Sequence, residues 1–116
     1  PGPGGYVMVT SPNAPFNSAN ELAEYSKQKQ LLMGVETGGT VHLMTGLFAL
    51  ASGANVKYVE AGTDTEKLTT LVGGNIDACF VNVNQARQYI EAGKVKALRS
   101  YWYVHPIRQR DNATRL

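Results

Sequence analysis

The apolar residues of this chain change their spacing repeatedly, between a period of two residues and a period of about 3.6. The first period is typical of β-strands and the second of amphipathic helices. The pattern predicts strands over 6–10, 31–35, 56–59 and 76–81, and a last strand-like run over 94–104. Helices are predicted between them, joined by short turns. This alternation predicts an α/β fold, a three-layer sandwich with a mostly parallel sheet.

Capping residues and glycines predict where the helices begin and end. The spacing of Ser18 and Glu21, and of Thr63 and Glu66, is that of a capping box. Glycines that follow the helical runs predict their ends. These glycines are Gly53, Gly73, Gly74 and Gly93. The most apolar helix is predicted over about 40–52. Its apolar stripe has three leucines in register, Leu43, Leu47 and Leu50.

Composition limits the class of protein. A chain of 116 residues with 43% apolar and 17% charged residues is typical of one globular domain. The net charge of +2 is not gathered in a basic stripe, so no nucleic-acid partner is predicted. Cys79 is the single cysteine and lies in an apolar run, which favours a buried, inert thiol over a nucleophile.

Nothing in the sequence predicts a membrane span or a leader. No run reaches the roughly 18 apolar residues that a spanning helix needs. The first residues, "PGPGGY", do not have the basic-then-apolar layout of a signal peptide. We therefore expect either a cytoplasmic chain or one from which a leader has been left out.

Three short polar segments follow three of the predicted strands directly. They are 36–40, 60–65 and 82–85, and each is rich in Gly, Thr or Asn. In parallel sheets, ligands bind outside the carboxyl ends of the strands, over helix N-termini. The segments are therefore predicted to converge on one edge of the sheet and to form a small-molecule site.

The segment 36–40 has the features of an anion-binding helix start. Gly38 and Gly39 would let the backbone approach a ligand, and Thr40 would offer a hydroxyl and an N–H group. A carboxylate or a phosphate suits such a turn. The alternative is a glycine turn that serves only packing, and Glu36 favours that alternative because its charge would repel an anion.

The sequence predicts no metal site, cofactor or catalytic residues. His42 has no Cys, Asp or second His at metal-ligand spacing, so a structural or half-exposed histidine is favoured. The serines lack a G-x-S-x-G context. Asp64, Glu66 and Asp77 could be read as an acid/base pair, but capping and solvation explain them better. We therefore do not expect an enzyme.

Three segments resemble the solute receptors of tripartite tricarboxylate transporters: "VTSPNAPFNSANELAEYSKQKQ", "GGTVHLMTGLFALASG" and "GTDTEKLTTLVGGNIDACFVNVNQARQYIEAGKVKALR". The resemblance runs from Tyr6 to Arg99, and the pairing of "LVGGNIDA" with "YIEAGKVKAL" is its most specific part. The chain departs from the family pattern at Gly34, Val35, Glu36 and Val81. It keeps Gly38, the hydroxyl at Thr40, and Asn82.

The resemblance implies a fold and a place in transport. Such receptors are extracytoplasmic proteins whose two α/β lobes close over a carboxylated metabolite, which they hand to a membrane permease. It implies that this chain is the second lobe of such a receptor, with the fold of one lobe of a type II periplasmic binding protein and one antiparallel crossover strand. We expect a leader or linker remnant at 1–5, the lobe at 6–100 and an atypical tail at 101–116. The candidate ligand-binding residues are Thr37, Gly38, Gly39, Thr40, Gly62, Thr63 and Asn82.

Two functions follow as hypotheses. The first is a periplasmic, truncated carboxylate-binding module with weak or lost binding of a small acidic or amino-acid-like ligand. A permease would be its partner only within a full receptor. The second is an interaction or structural domain that binds no metabolite. It would oligomerise through the hinge strands, which the resemblance places at 6–10 ("YVMVT") and 96–102 ("KALRSYW"), and through the cluster Tyr101, Trp102 and Tyr103.

Overall fold

The structure is a computed structural model that describes residues 5–99. Strands and helices alternate along it as the sequence predicts. The elements are β1 (Tyr6–Thr10), α1 (Ala19–Tyr25), β2 (Leu31–Val35), α2 (Thr40–Ser52), β3 (Val56–Glu60), α3 (Asp64–Val72), β4 (Ala78–Asn82), α4 (Val83–Glu91) and β5 (Lys96–Ala97). Of the strand-like run 94–104, residues 100–104 lie outside the described residues, as does the cluster Tyr101, Trp102 and Tyr103.

The five strands form one sheet in the order β3-β2-β4-β1-β5. Strand β2 pairs in parallel with both β3 and β4. Strand β1 runs antiparallel to its neighbours β4 and β5. Four strands therefore share one direction and β1 opposes them, which confirms the mostly parallel sheet with one antiparallel crossover strand.

Helices cover both faces of the sheet and give the sandwich its three layers. On one face, α1 and α2 bury a cluster that includes Leu22, Phe48 and Phe80. On the other, α3 and α4 bury a cluster that includes Leu68 and Ala86. Strand β4 lies between these clusters and is buried from Ala78 to Val81. Its apolar run is dense because neither of its faces meets solvent.

The two predicted capping boxes differ. In α3 the box is complete, since the Thr63 hydroxyl accepts from the Glu66 N–H at 3.3 Å and the Glu66 carboxylate accepts from the Thr63 N–H at 2.9 Å. In α1, Ser18 accepts from the Glu21 N–H at 3.1 Å, but the Glu21 carboxylate accepts from Asn17 at 2.6 Å. The Glu21 carboxylate therefore binds the backbone of Asn17, the residue before the N-cap Ser18, and not that of Ser18 itself.

The predicted apolar stripe of α2 does not pack on the sheet. Leu43, Leu47 and Leu50 are 64%, 54% and 83% exposed. The buried face carries Val41, Thr45 and Phe48 instead. Both triplets have the spacing i, i+4, i+7, so periodicity alone could not choose between them. The Thr45 hydroxyl tolerates burial because it donates to the carbonyl of Val41 at 2.7 Å.

Candidate functional site

The three polar turns meet at the carboxyl edge of the sheet. Strand β2 lies between β3 and β4 and is parallel to both, so the turns that follow them are neighbours. Two backbone donors join these turns. The Thr37 N–H donates to Glu60 Oε1 at 2.9 Å, and the Asn82 N–H donates to Asp64 Oδ2 at 3.0 Å. The structure therefore brings the segments 36–40, 60–65 and 82–85 together as one edge.

Glu60 connects the first two turns, and sequence reasoning did not single it out. Its carboxylate accepts from the hydroxyl and the N–H of Thr37, and from the Gly62 N–H at 3.1 Å. These bonds, the Thr37 hydroxyl first, lower the pKa of Glu60. Glu60 is the last residue of β3 and lies opposite Val35 in the parallel register, so its contact with Thr37 arises only when β2 and β3 pair.

The start of α2 is the least capped helix start at this edge. Gly38, at a φ of 82°, donates its N–H to His42 Nδ1 at 3.0 Å, and the Gly39 N–H donates to the Glu36 carbonyl at 2.9 Å. Gly39 is the N-cap and supplies no side-chain acceptor. The N–H groups of Thr40, Val41 and His42 therefore have neither an intrahelical nor a capping acceptor, and the first intrahelical bond runs from the Leu43 N–H to the Gly39 carbonyl at 3.2 Å.

The other three helices are capped by side chains, which are Ser18, Thr63 and Asn82. Asn82 Oδ1 accepts from the Asn84 N–H at 2.8 Å. Two of the candidate ligand-binding side chains, Thr63 and Asn82, thus act as caps in this structure. Thr37 is engaged with Glu60, and Thr40 is exposed. Of the candidate hydroxyls, the one at Thr40 is the best placed for a ligand.

His42 stabilises the turn before α2. Its Nδ1 accepts from Gly38, and its ring stands edge-on to Tyr58 with 5.3 Å between the ring centroids. The histidine is partly exposed. Within residues 5–99 no group of three or more His, Cys, Asp or Glu side chains could hold a metal ion.

A buried ion pair lies beneath the edge. Lys67 is 2% exposed and its Nζ is 3.1 Å from Oδ1 of Asp64, whose side chain is 23% exposed. Sequence reasoning missed Lys67 because a lysine between Glu66 and Leu68 reads as a solvated helix position. Burial raises the pKa of the nearby Cys79 thiol to about 12.

The three acidic residues considered as candidates for an acid/base pair have separate structural partners. Asp64 binds Lys67 and the Asn82 N–H. Glu66 closes the capping box of α3. Asp77 accepts from the Leu32 N–H at 2.8 Å, at the start of β4.

An open apolar groove runs from the turn along the outer face of α2. Its volume is about 440 Å³. The groove begins at Gly38 and Gly39, follows the helix and is bounded by Tyr58 of β3. The remaining lining residues are His42, Leu43, Gly46, Leu47 and Leu50. None of the lining residues is Asp, Glu, Lys or Arg.

Residues 4–113 match the family described as the tripartite tricarboxylate transporter family receptor. Three solved structures are similar. A periplasmic transporter is 27% identical with a TM-score of 0.74, a protein of R. palustris with adipate is 26% identical with a TM-score of 0.74, and the periplasmic binding protein BugD is 25% identical with a TM-score of 0.72. Each match covers 80% of this chain and 32% of the other. No curated protein matches the chain significantly.

Proposed function

Because this chain belongs to the tripartite tricarboxylate transporter receptor family, we propose that it is a carboxylate-binding lobe of a periplasmic solute receptor. The observation that carries the proposal is the open start of α2. It lies at the carboxyl edge of a parallel sheet, where three turns meet and no side chain caps the first-turn N–H groups. The similar R. palustris protein, described with adipate, supports a carboxylate as the ligand class.

The ligand carboxylate would accept from the first-turn N–H groups of α2 and from the Thr40 hydroxyl. The helix dipole adds a favourable partial charge at this position. Gly38 and Gly39 keep the approach free of side chains, while Gly62, Thr63 and Asn82 shape the neighbouring turns. Thr37 acts indirectly, by joining two of these turns through Glu60.

Two exposed acidic residues at the edge restrict the charge of the ligand. Glu36 precedes the turn and Glu60 binds it, and both are exposed. Their field opposes a ligand with several negative charges. We therefore favour a ligand that combines one carboxylate with a cationic or neutral donor, as an amino acid does, over a tricarboxylate.

One lobe offers half of a closing cleft, so its affinity would be weak. The chain spans about a third of the length of the solved structures it matches. Ligand sites usually bury most of the ligand surface, which a single open edge cannot do. In this proposal residues 6–100 form the lobe, 1–5 and 101–116 are flanking segments, and a permease is the partner of the complete receptor.

A thermal-shift panel of monocarboxylates, dicarboxylates, tricarboxylates and amino acids tests the proposal. At about 10 mM, a ligand with a dissociation constant near 1 mM would stabilise the chain by about 1.4 kcal/mol. That corresponds to a rise in Tm of roughly 4–8 °C for a domain of this size. A flat panel would contradict binding by this lobe.

The matched variants are Thr40→Pro and Asn75→Ala. Thr40 is the first residue of α2 and Gly39 is extended, with ψ at 178°, so proline fits the backbone there while removing one N–H and the hydroxyl. We expect Thr40→Pro to abolish the ligand-induced shift. Asn75 lies before β4 at the opposite edge of the sheet, so its variant should keep the shift.

The alternative, an interaction domain, is favoured by the exposed leucines of α2. Self-association through the hinge strands is restricted by the sheet, since β4 pairs with all of β1 on one side and β5 pairs with Val9 and Thr10 on the other. In the described part of the chain, β5 is the edge strand of the two. The aromatic cluster at 101–103 lies outside the described residues. Among the described residues, the outer face of α2 is the better candidate surface because its leucines are exposed.

A further inference from the structure

We propose that this chain forms a two-fold homodimer in which the outer face of α2 packs antiparallel against the same face of a second copy. The surface consists of Leu43, Gly46, Leu47 and Leu50 of α2 and of Tyr58 of β3, and we call it the leucine face. The proposal goes beyond the carboxylate-binding function and does not depend on it.

The composition of α2 requires a cover for the leucine face. No residue from Thr40 to Ser52 is Asp, Glu, Lys or Arg, and the three leucines are more than half exposed. A surface helix normally carries charged side chains on its solvent side, and one that is apolar on all sides is normally buried. No helix of the described chain is long and apolar enough to cross a membrane.

The leucine face combines exposed leucines with an open groove. The leucines are spaced by four and then three residues, which is the spacing of a coiled-coil seam. Gly46 leaves a depression between them, bounded by Tyr58, whose hydroxyl would lie 3.6 Å from a Cβ at that position. One surface therefore carries both protruding side chains and a hole that the leucine of a second copy can fill.

Charges at the two ends of α2 favour the antiparallel direction. Exposed Glu36 and Glu60 lie at the N-terminal end. The loop with Lys29 lies at the C-terminal end, because its neighbours Ser26 and Gln30 are hydrogen-bonded to Asn55 at 2.9 and 3.1 Å. An antiparallel pair brings opposite charges and opposite helix dipoles together, whereas a parallel pair would bring like charges together.

The size of the leucine face predicts a weak dimer. A standard stable interface buries about 800 Å² on each partner, and one helix face with a neighbouring aromatic ring supplies less. We therefore expect a dissociation constant of about 10–100 µM, in the range of small, transient interfaces.

Sedimentation equilibrium of the full chain, from about 5 µM to 1 mM, tests the proposal on both sides of that constant. We expect a monomer–dimer equilibrium that Leu47→Glu weakens at least tenfold. The control is Val72→Glu. Val72 is 48% exposed, close to the 54% of Leu47, but it lies on α3 across the sheet. This variant should dimerise as the parent does, and circular dichroism checks that both variants fold.

A pair of variants tests the direction. In an antiparallel pair centred near Leu47, position 43 faces position 50 of the second copy. Leu43→Glu and Leu50→Lys should each dimerise less, and their mixture should recover the heterodimer. Recovery should fade as salt is raised, since exposed charges are screened. A mixture that does not recover dimerisation overturns the antiparallel arrangement.

Three other results would overturn the dimer. One is a monomer at all concentrations up to about 1 mM, well above the expected constant. Another is a dimer that Leu47→Glu does not weaken, which would place the interface elsewhere. The last is a protein that stays monomeric and whose Tm is raised by octanoate, while the Tm of Leu47→Glu is not raised. That result would make a small amphiphile the occupant of the groove.

Discussion

Gly62 holds the turn between β3 and α3 in a backbone conformation that other residues rarely adopt. Its φ is 83°, its N–H donates to Glu60, and a Cβ there would overlap the carboxylate with which Glu66 closes the capping box. Its contribution to the candidate site is therefore conformational. A Cβ at this position would strain the turn and displace the Glu66 carboxylate from the helix cap, which explains why residue 62 is a glycine.

Replacing Gly62 by alanine should destabilise the protein more than replacing Gly74. Both glycines have a φ of 83°, so both variants carry the left-handed penalty of about 1–2 kcal/mol. Around Gly74 there is open space, whereas at Gly62 the Glu66 carboxylate must move. We expect Gly62→Ala to cost about 1 kcal/mol more, the value of a helix cap, in urea unfolding. Equal losses would contradict the steric account.

For single residues, the sequence predicted some of the contacts at the carboxyl edge of the sheet and missed others. Thr63 with Glu66 was predictable because a capping box is a local pattern three residues long. Glu60 and Lys67 were not, because their roles depend on partners supplied by folding. Glu60 meets Thr37 only when β2 and β3 pair, and Lys67 becomes buried only when α3 docks on the sheet.

Helix α2 shows where element-level prediction stops. Its bounds were predictable, since the glycines before Thr40 and after Ser52 interrupt the apolar run. The face that packs was not predictable, because two triplets share one spacing and only the position of β4 and β2 selects between them. A second face that is apolar without being part of the core is a signal for an interaction surface.

Asp64 joins α3 to β4, and removing its charge should cost more than removing the charge of its partner. Asp64→Asn leaves the Lys67 ammonium buried without an anion, at a cost of about 3 kcal/mol. Lys67→Met leaves a partly exposed carboxylate that still accepts from the Asn82 N–H, so we expect a loss of about 1–2 kcal/mol. Urea unfolding measures both.

The double variant and an exposed pair are the controls. Asp64→Asn with Lys67→Met should be more stable than Asp64→Asn alone, since no buried charge remains unpaired. Lys27 and Glu24 form a pair with the same i, i+3 spacing, but their side chains are 61% and 73% exposed. Glu24→Gln should therefore change stability by about 0.5 kcal/mol or less. If Asp64→Asn cost no more than that, the buried pair would have no structural role.

For the molecule as a whole, the alternation of strands and helices predicted the layers, but the strand order needed the fold itself. Strands β1 and β4 are 68 or more residues apart in sequence and yet pair along their full length. No local pattern records such a pairing, and the resemblance to the receptor family implied only that one of the two crossover strands runs antiparallel, not that it is β1. The central position of β4 in the sheet was predictable from the sequence, because a strand buried on both faces is apolar throughout.

Cys79 lies in this central strand and offers a probe of the unfolding of the whole molecule. It is fully buried, and burial raises the pKa of its thiol to about 12. Reaction with a thiol reagent should therefore require unfolding and be at least about 10³-fold slower than in urea, for a domain of ordinary stability. Its pH dependence should follow the thiol of the unfolded chain and level off above a pKa of about 8.5.

Two results distinguish labelling of Cys79 through unfolding from labelling of Cys79 in the folded state. Asp64→Asn should accelerate the labelling of Cys79 by about 10²-fold, the factor that corresponds to its expected loss of about 3 kcal/mol. A folded-state thiol would instead react at a rate that is insensitive to that loss and to low urea, and that keeps rising with pH toward 12. Such behaviour would mean that β4 opens to solvent without unfolding of the sheet, and that the two cores on its faces are not one cooperative unit.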